Sequence, residues 1–270
     1  MKSTFKKTLL ASLIVPFAMG AQTASADLIT NWGYDVSSIF TNAVPTSGTG
    51  TLDGNNTSTL SWGVGPGPQS SISITNVDET SGLMTGGGYV NGGVFTHTNN
   101  SLPSQGLALD SFDLVSTLTL TPFAPAPGDS LPASATTFES FFIETGNGGT
   151  CVEAAGPDCA DIFTIGDVTG SELNEFGNFE FNSSFDLDGY TYTLFLELAD
   201  LTTLGDPSCE AAGAPSGCVG LVTEENAVNN FQTRFKITAV EMVPEPGTLA
   251  LLGMGLAGLG LSRRRKAAKS

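Results

Sequence analysis

Tyr190, Tyr192, Leu194, Leu196 and Leu198 place an apolar side chain at every second position, and Asp188-Gly189 stands directly before them. A period of two puts all five on one face of an extended strand, whereas a helix would scatter them around its axis. Asp-Gly signals a two-residue hairpin turn. On its other side Phe179, Phe181 and Phe185 keep the same period within Phe176 to Leu187. Two antiparallel strands with one buried face account for this pattern.

The same alternation recurs along the chain. Asp27 to Phe40 carries Trp32, Tyr34, Val36 and Phe40; a turn-rich stretch, Asn42 to Asn56, follows. Leu60 to Val64 and Ser71 to Val77 flank Gly65-Pro66-Gly67-Pro68, which cannot continue either ladder. Tyr89 to Phe95 follows three glycines. Ser111 to Phe123 sets Phe112, Leu114, Leu118 and Leu120 on one face and Asp113, Val115, Thr117 and Thr119 on the other. Phe138 to Glu144 and Asp161 to Ile165 read as hairpin arms. Leu221 to Thr223 and the row Phe231, Thr233, Phe235, Ile237, Ala239 complete the set. Roughly ten to twelve short strands between turn signals predict an all-β chain, an antiparallel β-sandwich, with a jelly roll as one such arrangement. Residues 27–242 are expected to form one exported domain; Pro122 to Pro132 is the only candidate seam.

Both ends depart from this pattern. Lys2, Lys6 and Lys7 precede an apolar stretch, Leu9 to Met19, and then Ala24-Ser25-Ala26. That order is a secretory signal peptide over residues 1–26, a signal helix cleaved after Ala24-x-Ala26 to leave Asp27 first. The other end runs Val243-Pro244-Glu245-Pro246, an uncharged run from Leu249 to Leu261, then Arg263-Arg264-Arg265-Lys266. As a helix the run spans roughly 20 Å, a short transmembrane helix against a hydrocarbon core of about 30 Å. The arginines would stay cytoplasmic as a stop.

This tripartite tail, residues 243–268, resembles the PEP-CTERM sorting signal of Gram-negative bacteria. The resemblance implies that Val243, Pro244, Glu245 and Pro246 are read by an exosortase-type membrane protease and that Arg263, Arg264 and Arg265 are the cytoplasmic stop. It also implies a membrane attachment that precedes processing, and a cell-surface or extracellular destination.

Removing the ends sharpens the charge. Of 10 basic residues only Arg234 and Lys236 lie in the body, and of 27 acidic ones only Glu245 lies outside it. A surface of that sign repels nucleic acid and anionic lipid, and suits extracellular solubility, cations, and neutral or cationic partners. It also predicts few internal salt bridges.

The four cysteines form two local pairs, Cys151 with Cys159 and Cys209 with Cys218, each enclosing Glu-Ala-Ala-Gly and a proline. Both read as similar stapled loops in an oxidising compartment, each disulfide contributing about 2.5 kcal/mol by loop entropy. A four-cysteine zinc site needs closer spacing, and three pairings remain open on sequence grounds.

His97 is the only histidine, in Thr96-His97-Thr98-Asn99. The stretch resembles the THxN family of PEP-CTERM proteins, with Thr96, His97 and Asn99 as its signature, Leu102 where isoleucine is usual, and Trp32 near the mature N-terminus. Physically, a histidine among hydroxyls and amides can bond through both ring nitrogens and fix a strand end. No nucleophile elbow, metalloprotease motif or P-loop is present, so no catalytic residue is assigned. Calcium is the one cofactor considered: Asp186 and Asp188, and the set Asp158, Asp161 and Asp167, offer hard oxygens. The ordinary alternative is that these aspartates cap turns. Trp32, Trp62, Tyr34 and Tyr89 are the rings available to a carbohydrate.

These residues describe an exported, exosortase-sorted structural protein of a surface or exopolysaccharide-rich biofilm matrix, without catalysis. A carbohydrate- or calcium-binding module at the cell surface is the alternative. Thiol titration of the exported protein without reductant is expected to find no free thiol; four reactive thiols would contradict the stapled loops.

Overall fold

The computed structural model of the protein describes residues 27–132, 134–147, 150–155, 158–166 and 171–242, together with Leu256. Of Ala154, Ala155 and Asp158 only the backbone is described. The signal segment with Ala24 and Ala26, the sorting motif Val243 to Pro246 and the arginines 263–265 lie outside the described residues. Among the described residues no helix is long and apolar enough to cross a membrane.

The elements in chain order are β1 (Asn31–Pro45), β2 (Thr51–Asp53), β3 (Thr59–Gly63), β4 (Ser70–Ile74), β5 (Val77–Met84), β6 (Val90–Asn99), β7 (Leu109–Ala124), β8 (Ser134–Ile143), β9 (Ala154–Ala155), β10 (Asp158–Cys159), β11 (Asp161–Ile165), β12 (Ser171–Leu173), β13 (Phe179–Leu187), β14 (Tyr190–Leu198), β15 (Thr202–Thr203), α1 (Asp206–Ala211), β16 (Val219–Thr223) and β17 (Ala227–Glu241). One sheet has the order β15-β16-β11-β8-β7-β1-β5 and the other β12-β13-β14-β17-β6-β4-β3-β2. All strand pairs are antiparallel. The two sheets face each other in a β-sandwich-like fold, and β9 with β10 forms a small separate pair.

The chemistry of the turns sets the register. Asp188 and Gly189 have φ of 50° and 79°, the left-handed pair that an Asp-Gly hairpin supplies. Leu187 then pairs with Tyr190, and the ladder runs to Phe179 opposite Leu198. Aromatic rings join the sheets. Phe40 of β1 meets Phe95 of β6 edge to face at 6.2 Å, and Trp32 of β1 meets Tyr192 of β14 at 5.0 Å. These rings centre two core clusters, one around Phe40, Leu60, Trp62 and Phe112, the other around Trp32, Leu83, Tyr192 and Ile237. Between them the sheets stand further apart. A cavity of about 580 Å³ there, lined by Leu118, Phe181, Phe185, Leu194 and Phe231 among others, leaves the β13 and β14 rows mostly half-buried.

The structure differs from the sequence reading at several points. β5 lies in a stretch read mostly as connection; it is a sheet edge beside β1, largely exposed, so burial imposes little alternation on it. β1 runs through Asn42 to Pro45, with a register shift between Thr41 and Val44 that lets it turn the corner. The proline-rich loop is no seam, because it joins β7 and β8, which pair from Ser111–Phe141 to Leu118–Ser134. The two cysteine loops are not alike. The Ala-Ala of the first is extended in β9, while that of the second begins at the last residue of α1, a helix whose first turn holds Pro207. The surrounding sheet and the proline override the shared tetrapeptide.

Phe40 is fully buried at this cross-sheet contact. Phe40→Ala is expected to lower unfolding free energy by about 3–5 kcal/mol in urea denaturation; a loss below about 1 kcal/mol would contradict the packing described.

Candidate functional site

Three carboxylates meet where strands end. β8 and β11 pair up to Ile143 opposite Ile162, so the next residues outward, Glu144 and Asp161, emerge side by side. Asp161 also pairs with Thr223 of β16, and Glu225 sits in the turn that carries the chain from β16 to β17. Carboxylate oxygens of Glu144, Asp161 and Glu225 lie within 4.8 Å of one another. Antiparallel pairing thus gathers groups from distant parts of the chain.

Their donors are few. Trp62 Nε1 donates to Glu144 Oε2 at 3.3 Å. The Thr145 backbone N–H donates to Asp161 Oδ1 at 2.8 Å, and Ser101 Oγ donates to Glu225 Oε2 at 3.1 Å. The Asn147 amide lies 3.0 and 3.3 Å from the two Glu225 oxygens, and donates to both when its NH₂ is turned to them. Glu144 Oε1 and Asp161 Oδ2 are buried and have no donor among the described residues. Burial, with the Glu225 charge nearby, raises the Glu144 carboxyl to about 8 against the pull of Trp62. Burial and then the Glu144 charge raise Asp161 to about 9.

The inward face of β6 backs this cluster. Alternation turns His97 and Asn99 inward, both almost wholly buried, while Thr96 points outward and donates to Asn230 Oδ1 at 2.7 Å. Thr223 is the common partner. His97 Nδ1 is 2.9 Å from Thr223 Oγ1, and Asn99 Nδ2 donates to the Thr223 carbonyl at 3.4 Å. Trp62 stacks on the imidazole at 5.7 Å between ring centres. The expected two-sided bonding of His97 is not seen among the described residues: Nε2 has no partner there, nor does Asn99 Oδ1. Burial lowers the His97 value to about 4, so the ring is neutral at pH 7.

Other expected site residues lie elsewhere. Asp188 forms the β13–β14 turn, and Asp186 accepts the Thr191 hydroxyl at 2.7 Å. Neither joins the one group of three metal-binding side chains found among the described residues. Asp167 and the side chain of Asp158 fall outside the described residues. Cys151–Cys159 and Cys209–Cys218 are the disulfides, and Ser208 Oγ donates to Glu153 Oε1 at 2.5 Å, tying one stapled loop to the other. Trp32, Trp62 and Tyr34 are buried. Tyr89 is covered by Lys236, whose ammonium lies 4.4 Å from the ring centre. Lys236 pairs with Glu180 and Arg234 with Glu197, so both basic residues of the body are engaged.

Sequence reasoning reached Asp161 but not Glu144 or Glu225. The usable signal was the first cysteine loop, with Glu144 closing one flanking strand and Asp161 opening the other. Glu225 carries no local mark.

Residues 243–266 match the family model of the PEP-CTERM protein-sorting motif. No curated protein and no solved structure matches the chain. The match places a sorting motif at the C-terminus, of the kind recognised by an exosortase, a membrane protease, and consistent with export to a surface or extracellular location.

Glu144 and Asp161 both have folded values above their free ones, so the folded state holds more protons across the interval from about pH 4 to 9. Their stabilisation is complete below about pH 4 and is lost as pH rises through about 8 and 9. His97 acts in the opposite sense, but only between about 4 and its free value of 6.5. In chelator, the denaturation midpoint is therefore expected to fall from about pH 7 to about pH 9, and Asp161→Asn to flatten that fall. A flat or rising midpoint in the unmodified protein would contradict the burial of these groups.

Proposed function

We propose that the protein is a non-catalytic structural component of the cell surface or an exopolysaccharide-rich matrix, exported through its signal peptide and processed by an exosortase at the Pro244-Glu245-Pro246 tail. The observation that carries this reading is the sorting motif at residues 243–266, opposite a leader ending in Ala24-Ser25-Ala26. Two disulfides fit an oxidising destination. An acidic body fits solubility outside the cell and makes nucleic acid an unfavourable partner.

The absence of catalysis is supported by the state of His97. The only imidazole of the chain is 1% exposed and bonded to Thr223, itself buried. A general base needs to reach a substrate proton, and this ring has no open side. Thr96, His97 and Asn99 keep the THxN pattern, and we read them as a structural signature of the fold.

The alternative of sugar recognition through aromatic platforms has less support. Trp32, Trp62 and Tyr34 are inside, and the large cavity is lined mainly by aliphatic and phenyl groups that lack the hydrogen bonds a sugar demands.

The test is processing in cells that carry an exosortase. The native chain is expected to begin at Asp27 and to lose its arginine end. Replacing Pro244, Glu245 and Pro246 by alanine should leave the chain membrane-bound with that end intact. Equal processing of both would contradict the assignment.

A further inference from the structure

We propose that Glu144, Asp161 and Glu225 bind one divalent cation, Ca²⁺, at the end of the sandwich where both sheets terminate. The site goes beyond the sorted-protein reading and does not depend on it. Two features of the geometry carry it.

The first is convergence: oxygens from three carboxylates lie within 4.8 Å of one another. Three oxygens spaced evenly around an ion at about 2.4 Å stand about 4.2 Å apart, within that limit, so the spacing is compatible with one calcium shared by all three. The second is missing donors. Asp161 is fully buried, yet among the described residues its Oδ2 receives no hydrogen bond, and neither does Glu144 Oε1. Asn99, also buried, reaches Thr223 directly across the ladder from Asp161 and keeps its own Oδ1 unpaired. Buried polar atoms normally find a partner, and such a group of them needs a cause.

The ligand chemistry selects the ion. The converging atoms are all oxygens, and the His97 nitrogens do not join the group, so the set is hard and unlike a zinc site. Mg²⁺ demands a near-ideal octahedron at about 2.0–2.1 Å, whereas Ca²⁺ accepts irregular sets of six to eight oxygens. Ligands from a hairpin end and a crossover turn form an irregular set, which waters can complete. The ion would fasten the β8–β11 hairpin to the β16–β17 crossover, and through it one sheet to the other. The Cys151–Cys159 disulfide lies within the loop that joins Glu144 to Asp161.

The test uses the protein as exported by its cells, stripped with EDTA and titrated with CaCl₂ by calorimetry and thermal unfolding. One site is expected, with Kd of about 10⁻⁴–10⁻³ M as in other extracellular modules, a rise in Tm, and a smaller rise with MgCl₂. Glu225→Gln and Asp161→Asn should each remain folded in EDTA and bind Ca²⁺ at least about 10-fold more weakly. If Asp161→Asn does not fold, Glu225→Gln, on a half-exposed turn, decides alone. The proposal is overturned by no heat and no Tm shift at about 10 mM Ca²⁺, by a shift that survives in Glu225→Gln, or by tighter binding of Mg²⁺.

Discussion

A carboxylate taken out of water needs a counter-charge or a proton, and this chain has almost no counter-charge of its own. Between residues 27 and 242 it contains two basic residues, Arg234 and Lys236. Both lie on β17, where they pair with Glu197 and Glu180 beside Tyr89. Glu144 and Asp161 are buried at another part of the sandwich, with carbonyls, hydroxyls and an indole for company. Without an ion, protons satisfy them up to about pH 8 and 9. A cation from solution would replace those protons and add a link between strands.

The rest of the architecture positions this end of the molecule. Antiparallel pairing of β8 with β11 and of β11 with β16 sets Glu144, Asp161 and Thr223 in one row. The inward alternation of β6 then brings His97 and Asn99 to Thr223 from the opposite sheet. Trp62 of β3 closes the row by bonding Glu144 and stacking on His97. Thr223 is therefore one point where the two sheets exchange hydrogen bonds. The two disulfide loops lie close by, joined by Ser208 and Glu153. The sorting motif is consistent with a destination outside the cell. Outside the cell a protein must hold its shape without chaperones, and disulfides and metal links both resist unfolding there.

Much of the fold was legible because burial writes itself into a strand as alternation. The β13–β14 hairpin, β7 and β17 were readable to within a few residues, and Asp188-Gly189 identified its turn. β5 was not, because an edge strand with one neighbour and mostly exposed side chains imposes little pattern. The shared Glu-Ala-Ala-Gly suggested two equivalent loops; local sequence alone could not say that one would join a strand pair and the other a helix. The carboxylate site was half legible. Asp161 stood out among acidic loop residues, while Glu144 and Glu225 look like ordinary strand ends until the sheet order is known. Thr96, His97 and Asn99 were marked by resemblance, but only the structure shows that two of the three face Thr223.

The central claim is that one ion occupies the gap between three strand ends, and crystals of the exported protein grown with about 5 mM calcium would test it most directly. The account predicts an anomalous-scattering peak about 2.3–2.6 Å from oxygens of Glu144, Asp161 and Glu225. Carboxylates paired through shared protons, with no peak between them at neutral pH, would contradict it.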